Sequence, residues 1–407
     1  MNNPSVVVII GAGASGMMAA LTAAGTPGRK VILLERQQRV GKKLLATGNG
    51  RCNLTNLNAL PGAYFGTDAA FSDHALRLFG PEDTLRFFSE LGLLTVTEPD
   101  GRVYPLSDSA NSVLDVLRYA LEHAGVEIRC ASPAERITPN QNGRGFLIHC
   151  PEDRIRADAV ILACGGAAGS KLGGVTDGYR LGKAFGHKRS PLFPSLTRIR
   201  TEPAFPRSLK GIRVQAFLQL THGTELLAFG EGEVQFTETG ISGPAGFDLS
   251  RAVSTGPEGQ QLHLRLLPCS EDAVRELLLN RIRSLPELNA SELFTGMLHN
   301  RLGRILVKTA GISAEKPLSD LTEQELNAVV KACSDLVLPV QGVDGFDTAQ
   351  VTAGGLLTAG FSPETLESLL VPGLFACGEV LDIDGPCGGY NLQWAWASGA
   401  LAGRLGE

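Results

Sequence analysis

Three glycines that directly follow an apolar run could bring the backbone close to a diphosphate. Residues 6–10 are all β-branched, and Gly11, Gly13 and Gly16 follow them with the spacing G-x-G-x-x-G. The first glycine allows a tight turn, the second lets a pyrophosphate approach the backbone, and the third lets the next helix pack against the strand. The unpaired N–H groups at the N-terminus of that helix favour an anion.

An acidic residue at the end of the next apolar run completes this pattern. Residues 30–34 predict a second strand, and Glu35 follows it, 24 residues after Gly11. A carboxylate at this position accepts hydrogen bonds from ribose hydroxyls and repels a 2′-phosphate. Strand, glycines, helix, strand and acid in this order predict that the chain binds an adenine dinucleotide.

A second glycine-rich segment, near the C-terminus, favours a flavin over a nicotinamide dinucleotide. The strand-like residues 373–377 lead into Gly378 and Glu379, and glycines 388–389 precede a helix that we expect to begin at Gln393. An acid after a small-residue strand suits the ribityl hydroxyls. A helix N-terminus suits the N1/C2-carbonyl edge of the ring, which becomes negative on reduction. FAD is therefore the predicted cofactor.

Composition excludes several other classes of protein. The chain has 407 residues, 43% of them hydrophobic and 19% charged, with a net charge of −5. These values are ordinary for a globular protein and do not indicate nucleic-acid or anionic-membrane binding. No run of about 18 apolar residues is present to span a bilayer. The eight cysteines form no C-x-x-C pair, so we expect reduced thiols, no metal site and a cytoplasmic location.

The pattern of residue types changes near residue 191, and the glycine-rich, strand-like pattern returns near residue 350. In between, prolines punctuate short alternating strands, and stretches with helical periodicity follow. We therefore expect a discontinuous FAD-binding domain, residues 1–190 and 351–407, with an inserted domain at residues 191–350. Within the insertion we expect a β-barrel-like part at residues 191–269 and 337–350, and a helical part at residues 270–336. Helices are predicted at residues 75–91, 112–124, 271–282, 291–305 and 322–336.

Four further motifs carry a resemblance to a known family. They are GKKLLATGNGRCNLTN at residues 41–56, FTETGISGP at 236–244, VTAGG at 351–355, and the glycine-rich residues 378–393. With the first glycine motif, they make the chain similar to the BaiN/YhiN-type (HI0933-like) family of FAD-dependent flavoproteins over essentially its full length. The resemblance implies an α/β fold: a Rossmann-like FAD-binding domain of the glutathione-reductase/fumarate-reductase type, interrupted by an inserted β-barrel-like module with a helical subdomain.

The predicted FAD contacts come from these motifs and from the ends of the predicted strands. In the 41–56 segment, backbone amides with Arg51 or Lys42 would compensate the pyrophosphate charge. Cys52 has no partner at dithiol spacing, so a packed thiol is the favoured interpretation. The full set is Gly11, Gly13, Ala14, Ser15, Gly16, Glu35, Arg36, Lys42, Leu44, Gly48, Gly50, Arg51, Cys52, Asn53, Ala134, Ala163, Gly165, Gly355, Gly378, Glu379, Asp384, Gly389, Asn391 and Leu392.

Three side chains are candidates for catalysis. Tyr390, beside the expected ring edge, is the first candidate for the acid that protonates a substrate carbon. Arg102 and Tyr104 are candidates for polarising a carbonyl group. For each of them a packing or ion-pair role in the fold is the competing interpretation.

The expected activity is that of an FAD-dependent oxidoreductase. We expect it to reduce a conjugated C=C bond of a hydrophobic, steroid- or bile-acid-like enone by hydride transfer from flavin N5, with NAD(P)H as the donor. One alternative is a flavin-dependent RNA-modifying enzyme, which draws on basic residues of the insertion; interleaved acidic residues argue against it. Another alternative is a flavin-binding redox sensor without turnover.

Overall fold

Strands and helices alternate along much of the chain. In the computed structural model, which describes residues 5–140 and 145–407, the strands β1 to β19 are Ser5–Ile10, Arg29–Leu34, Thr55–Asn56, Thr95–Thr97, Arg102–Pro105, Glu127–Arg129, Arg136–Pro139, Phe146–His149, Arg154–Ala157, Ala159–Leu162, Phe193–Ser195, Ile199–Thr201, Arg213–His222, Glu225–Phe236, Gly240–Ser242, Gln261–Arg265, Leu336–Val343, Val351–Ala353 and Leu374–Ala376. The helices α1 to α11 are Ala14–Ala24, Asp73–Leu78, Pro81–Glu90, Ala110–His123, Asp177–Lys183, Ala204–Ser208, Pro244–Thr255, Glu271–Ser284, Asn300–Thr309, Glu323–Ser334 and Tyr390–Gly403. Short 3₁₀ segments lie at Leu44–Gly50, Ala69–Ser72, Ser170–Leu172, Ala290–Glu292, Leu318–Asp320, Thr358–Gly360 and Gly378–Val380.

The contacts between these elements divide the chain into two units. The first unit runs to Phe193 and resumes at Phe346, and the second is Pro194–Gly345. Each unit has its own cluster of buried apolar side chains. Among the described helices, none is both long enough and apolar enough to cross a membrane.

A five-stranded parallel sheet forms the centre of the first unit. Its strand order is β19-β10-β1-β2-β6. Val8 on the central strand pairs with Val160 on one side and with Ile32 on the other. The continuous β-branched run of β1 is buried because layers cover both faces of a parallel sheet. The predicted strand–helix–strand unit at the start of the chain is confirmed.

Helices α1 and α11 pack closely against each other in this unit. A Cβ at Gly399 would lie 2.5 Å from the backbone oxygen of Ser15, and one at Gly403 would lie 2.6 Å from that of Ala19. The small residues therefore allow the two backbones to approach each other. This contact brings the C-terminal glycine-rich segment to the same edge of the sheet as the N-terminal glycine turn.

The second unit contains a closed antiparallel barrel with strand order β12-β15-β14-β13-β16-β17. Along β13, the buried Ala216, Leu218 and Leu220 alternate with the exposed Gln215 and Gln219, as expected for a strand with one face in a core. Helices α8, α9 and α10 follow strand β16. The parallel sheet and the closed barrel confirm the expected fold class.

Several helix boundaries differ from the prediction. The stretch 75–91 is two helices, because Pro81 begins α3 and the residue before a proline is disfavoured in a helix. The stretch 291–305 is α-helical only from Asn300, since Gly296 adopts φ +82°. Helix α11 begins at Tyr390, three residues before the predicted start at Gln393. The predicted helix start at Thr322 is confirmed.

Gln393 connects three elements from a fully buried position. Its Oε1 accepts hydrogen bonds from Thr55 Oγ1 (2.6 Å) and Thr84 Oγ1 (2.8 Å), and its Nε2 donates to the Phe79 carbonyl (2.8 Å). Helix α11 is thereby attached to β3 and α3.

We expect Gln393→Leu to lower the free energy of unfolding by about 2–4 kcal/mol, because it leaves buried hydroxyl and carbonyl groups without partners. The measurement is urea unfolding followed by circular dichroism. Gln324→Leu, on an exposed position of α10, is the matched control and should change the free energy by less than about 0.5 kcal/mol. Equal stability of the two variants would show that the Gln393 hydrogen bonds do not support the fold.

Candidate functional site

The carboxyl ends of the parallel strands meet at one edge of the sheet. The glycine turn follows β1, Glu35 follows β2, Gly165 follows β10 and Glu379 follows β19. Ala134, buried, lies five residues after the end of β6. Ligands of open α/β sheets bind at this edge. Predicted cofactor residues thus follow the carboxyl ends of all five strands.

The structure explains the glycine at each of the three positions of the turn in a different way. Gly11 has φ +108° and donates its N–H to the Leu34 carbonyl at 2.8 Å. A Cβ at Gly16 would overlap the Gly11 carbonyl. A Cβ at Gly13 would meet no atom within 4 Å, and no side chain caps α1 at this position. Gly11 and Gly16 therefore serve the fold, whereas Gly13 faces open space beside the helix N-terminus, next to Ala14.

Glu35 lies directly beside this turn. Its Oε2 accepts a hydrogen bond from the Ala12 N–H at 3.0 Å, and its Oε1 accepts one from the Gln37 N–H at 2.8 Å. The carboxylate is half-buried and fixed by backbone donors. The neighbouring Arg36 forms an ion pair with Asp177 at 3.1 Å.

The 41–56 segment begins at the same turn, since the Gly41 N–H donates to the Ala12 carbonyl at 2.9 Å. Gly48 and Gly50 adopt φ +56° and +88°, and Leu44 is buried. Asn53 is also buried, and its Oδ1 has no hydrogen-bond partner among the described residues. A buried acceptor without a partner is costly, so Asn53 fits a site that a ligand donor completes.

Lys42 and Arg51, the two basic side chains predicted to compensate the pyrophosphate charge, have different surroundings. Lys42 is exposed. Arg51 forms ion pairs with Asp108 and, at 3.2 Å, with Glu98, and its guanidinium lies 4.0 Å from the Tyr104 ring centroid. These carboxylates hold Arg51 beside Tyr104. The contact of Lys42 or Arg51 with a pyrophosphate stays a prediction.

Lys43 is the lysine that reaches Glu379, in the C-terminal part of the site. It is not among the predicted cofactor contacts. Its Nζ donates to Glu379 Oε2 at 2.7 Å. Glu379 Oε1 accepts from the Thr352 N–H at 2.9 Å, and a Cβ at Gly166 would lie 2.6 Å from it. The lysine pair in the sequence was a signal for one cation here, but only the fold shows which lysine is used.

Cys52 is a packed thiol. It is buried and adopts φ +61°, and burial raises the pKa of its thiol to about 12. Burial also raises the pKa of the Cys377 thiol to about 12. Both thiols are therefore protonated at neutral pH and are poor nucleophiles. Among the described residues, no cluster of three His, Cys, Asp or Glu side chains is placed to hold a metal.

The two glycine turns of the C-terminal segment fit against the N-terminal motif. Gly378 has φ +74°, and a Cβ there would lie 2.8 Å from Ser15 Cβ. Gly389 has φ +100°, and a Cβ there would lie 2.5 Å from the Thr55 carbonyl oxygen. Because α11 begins at Tyr390, Gly389 is its N-cap. The positive end of the helix therefore lies at this turn.

Hydrogen bonds within residues 382–392 hold the loop before α11. Asn391 Oδ1 accepts from the Gly385 N–H at 2.9 Å, and its Nδ2 donates to the Gly385 carbonyl at 2.8 Å. Asp384 is fully buried, and its N–H donates to the Phe65 carbonyl at 3.0 Å. Leu392 is half-buried on the first turn of α11. Asn391 and Asp384 thus shape the loop as well as being predicted contacts.

Gly355 and Ala163 complete the same edge. A Cβ at Gly355 would lie 2.6 Å from the Leu381 carbonyl carbon. Ala163 donates its N–H to the Ile10 carbonyl at 2.9 Å. A Cβ at Gly165 would meet no atom within 4 Å. Gly165 is therefore a second position with open space at the strand ends.

Two of the three catalytic candidates lie at one turn. A Cβ at Gly388 would lie 2.8 Å from Arg102 Nε, and Arg102 pairs with Asp100 at 3.2 Å. Tyr390 follows two residues after Gly388, and the Tyr64 hydroxyl donates to its carbonyl at 3.0 Å. Tyr104 instead lies beside Gly48, at 3.4 Å from a Cβ placed there. Burial raises the pKa of the Tyr104 hydroxyl.

These features fit a bound FAD. Open space lies at Gly13, Gly50 and Gly165, and the Asn53 acceptor is buried without a partner. Residues of the glycine turn and Glu35 would hold the adenosine and pyrophosphate, and Glu379 and the α11 N-terminus would hold the ribityl chain and ring. The individual FAD contacts stay predictions.

Comparisons with known proteins agree on one family. The family model for the HI0933-like protein Rossmann domain matches residues 5–405. The chain is 40% identical over 401 residues to 3-dehydro-bile acid delta(4,6)-reductase of Clostridium scindens, covering 97% of both proteins. It is 31% identical over 395 residues to ribosomal RNA dihydrouridine synthase of Escherichia coli, covering 96% of this chain and 95% of that protein.

A solved structure shows the same fold at low identity. It is 3-ketosteroid delta1-dehydrogenase from Sterolibacterium denitrificans, with a TM-score of 0.51, 14% identity and coverage of 99% of both chains. At this identity the likeness concerns the fold alone.

We expect Gly13→Ala to raise the dissociation constant for FAD at least about tenfold, because the new methyl group occupies the space that a pyrophosphate needs. FAD binding to the apoprotein is measured by flavin fluorescence. The melting temperature should stay unchanged, since a Cβ at Gly13 meets no protein atom within 4 Å. Gly345→Ala, another open position, is the control. Unchanged FAD affinity in Gly13→Ala would contradict this placement of the cofactor.

Proposed function

The chain belongs to the HI0933-like Rossmann-domain family and is an FAD-dependent oxidoreductase, and we propose that it reduces a C=C bond conjugated with a ketone in a hydrophobic, steroid-like substrate. The observation that carries this proposal is the 40% identity, over 97% of both proteins, with a 3-dehydro-bile acid delta(4,6)-reductase. The family membership confirms the resemblance drawn from the motifs.

The reaction needs a hydride, a proton and a polarised carbonyl. When bound and reduced by its electron donor, the flavin would supply a hydride from N5 for the β-carbon of the double bond. We assign the proton for the α-carbon to the Tyr390 hydroxyl. Arg102 lies against Gly388, and α11 begins at Tyr390. A guanidinium and a helix N-terminus both stabilise the negative charge that a donating phenol acquires.

Arg102 is also the candidate for polarising the ketone. Its ion pair with Asp100 and its contact with the Gly388 turn fix the guanidinium at the end of the loop before α11. Guanidinium donors in a fixed geometry stabilise a developing enolate oxygen. Tyr104, which lies beside Gly48 and Arg51, is the second candidate for this task.

Exposed apolar side chains in the first unit support a hydrophobic substrate. Leu57, Leu60 and Phe65 are 40%, 52% and 41% exposed, and all three lie on the segment between β3 and α2. The Phe65 N–H donates to the Asp384 carbonyl at 2.7 Å, so this segment adjoins the loop before α11. The three lie within nine residues of the chain, and contiguous exposed apolar side chains are typical of ligand-binding surfaces.

We propose NAD(P)H as the electron donor. The sequence has one G-x-G-x-x-G turn after a strand, and this turn serves the dinucleotide that stays bound. A pyridine nucleotide would therefore dock transiently to reduce the cofactor. The cytoplasmic location likewise stays a prediction.

The similarity to a ribosomal RNA dihydrouridine synthase favours an alternative substrate for the same chemistry. Dihydrouridine differs from uridine by two hydrogens on a double bond conjugated with a carbonyl. The basic residues of the insertion argue against an RNA surface, because several are paired with acids. Arg198 pairs with Asp344 at 2.6 Å, and Lys210 with Glu238 at 3.3 Å. A net charge of −5 also disfavours RNA.

Anaerobic turnover tests the proposal. The holoenzyme is reduced with NADH or NADPH and then mixed with a 3-oxo-Δ4 steroid, a 3-oxo-Δ4,6 bile acid, or ribosomal RNA. We expect return of the yellow flavin colour and a product heavier by two hydrogens with the steroid or bile acid. Product formed with RNA but not with the steroid or bile acid would favour the RNA-modifying enzyme. A reduced flavin that none of these substrates reoxidises would favour a redox sensor without turnover.

We expect Tyr390→Phe to slow alkene reduction at least about 100-fold, because the variant removes only the proton-donating hydroxyl. Reduction of the flavin by NAD(P)H should keep its rate. Stopped-flow absorbance separates the two half-reactions. Tyr119→Phe, at a position that is 66% exposed on α4, is the control. A loss of less than about tenfold in Tyr390→Phe would exclude Tyr390 as the acid.

A further inference from the structure

The inserted unit contains a cavity of about 310 Å³ of its own. Phe217 of β13 pairs with Arg265, the last residue of β16. Residues 213–216 of β13 extend past the end of β16 and line the cavity. Residues 266–268 and 297–299 line it as well. We call this space the Arg265 cavity. Its volume is at the lower end of the range of about 300–1,000 Å³ for small-molecule sites.

Arg265 lines this cavity without a hydrogen-bond or ion-pair partner among the described residues. Its guanidinium lies 4.3 Å from the Phe217 ring centroid, and its side chain is half-buried. Its Nε is buried and has no hydrogen-bond partner among the described residues. No ion pair of Arg265 occurs in the described part of the chain either. Partial burial of a cation without a counter-charge is costly, and an anion in the cavity would offset this cost.

The other charged groups around the cavity are one further arginine and one acidic residue, beside the N-terminus of a helix. Arg213 is exposed and pairs with Glu233 at 3.5 Å. His299 caps α9, with its Nδ1 accepting from the Arg301 N–H at 3.2 Å. The positive end of this ten-residue helix therefore lies at the cavity wall. Glu231, exposed on β14, is the acidic residue among the lining side chains.

Apart from Gln215, which is exposed, the rest of the lining is apolar. Leu267 is buried, and Met297 and Leu298 are half-buried. The thioether of a methionine adapts to irregular ligand shapes. An anion alone would satisfy Arg265 but would leave this surface in contact with water, so a ligand with an apolar body is favoured.

We infer that the Arg265 cavity binds a small organic anion, a carboxylate on an apolar chain or ring, with the carboxylate on Arg265 and the apolar body against Met297 and Leu298. Guanidinium donors match a carboxylate in geometry. The site lies within the inserted unit and does not depend on the proposed reaction.

Methyl NMR of the holoenzyme tests this inference at one atom. The chain has four methionines, Met1, Met17, Met18 and Met297, and Met17 and Met18 are buried in the other unit. Octanoate is titrated into protein labelled with ¹³C at the methionine methyl groups, and Met297→Leu assigns the signal. We expect octanoate to shift the Met297 signal with a saturable dependence, and octanol and inorganic phosphate to do so at least about tenfold more weakly.

Two arginine variants show whether the charge on Arg265 is responsible. Arg265→Gln should weaken octanoate binding at least about tenfold, whereas Arg304→Gln, exposed on α9, should leave it unchanged. If Arg265→Gln fails to fold, the comparison of octanoate with octanol in the unmodified protein decides the matter. An unmoved Met297 signal at millimolar octanoate, or equal binding of octanoate and octanol, would overturn the inference.

Discussion

The close contact between α1 and α11 is the constraint on which the site depends. Gly399 and Gly403 allow the backbones to approach each other where any larger residue would collide with α1. The contact joins segments almost 400 residues apart in the sequence. It places the Gly378 turn against Ser15 and brings the N-termini of both helices to one edge of the parallel sheet. Two helix N-termini at one edge provide the positive potential that a long cofactor with a diphosphate and an electron-accepting ring needs at both ends.

Carboxylates at this edge are held by donors from the protein itself. Glu35 is fixed by two backbone N–H groups, and Glu379 by the Thr352 N–H and the Lys43 ammonium. Half-buried carboxylates that are fixed in this way accept further hydrogen bonds from hydroxyl groups without reorganising. This arrangement suits a ligand with hydroxyls on both sides of a diphosphate, as in FAD, the cofactor that the family membership supports. The individual contacts stay predictions.

The reaction proposed for this chain is the reduction of a double bond conjugated with a carbonyl group. An enzyme of this kind needs a hydride source, an acid and a polarising group for any carbonyl-conjugated double bond. The Gly388 turn, with Arg102 and Tyr390, supplies candidates for the last two tasks in the first unit. For the proposed reaction, we expect the choice of substrate to depend on the segment that carries Leu57, Leu60 and Phe65, which are apolar and exposed. The inserted unit adds a separate cavity lined by Arg265, whose Nε has no hydrogen-bond partner among the described residues.

The sequence by itself determined the strand–glycine–helix–strand–acid unit, the flavin-type C-terminal segment and the fold class, because these depend on local backbone requirements and on hydrophobic periodicity. It predicted the helix near residues 75–91 without its break at Pro81, and it started α11 three residues late at Gln393. Only the tertiary structure decided that Lys43 rather than Lys42 reaches Glu379, that Arg51 is held by Asp108 and Glu98, and that Arg102 lies at the Gly388 turn. Such pairings join residues that are up to hundreds of positions apart in the sequence. The type of a residue restricts only the chemical class of its partner. The packing of the elements that carry them selects the partner.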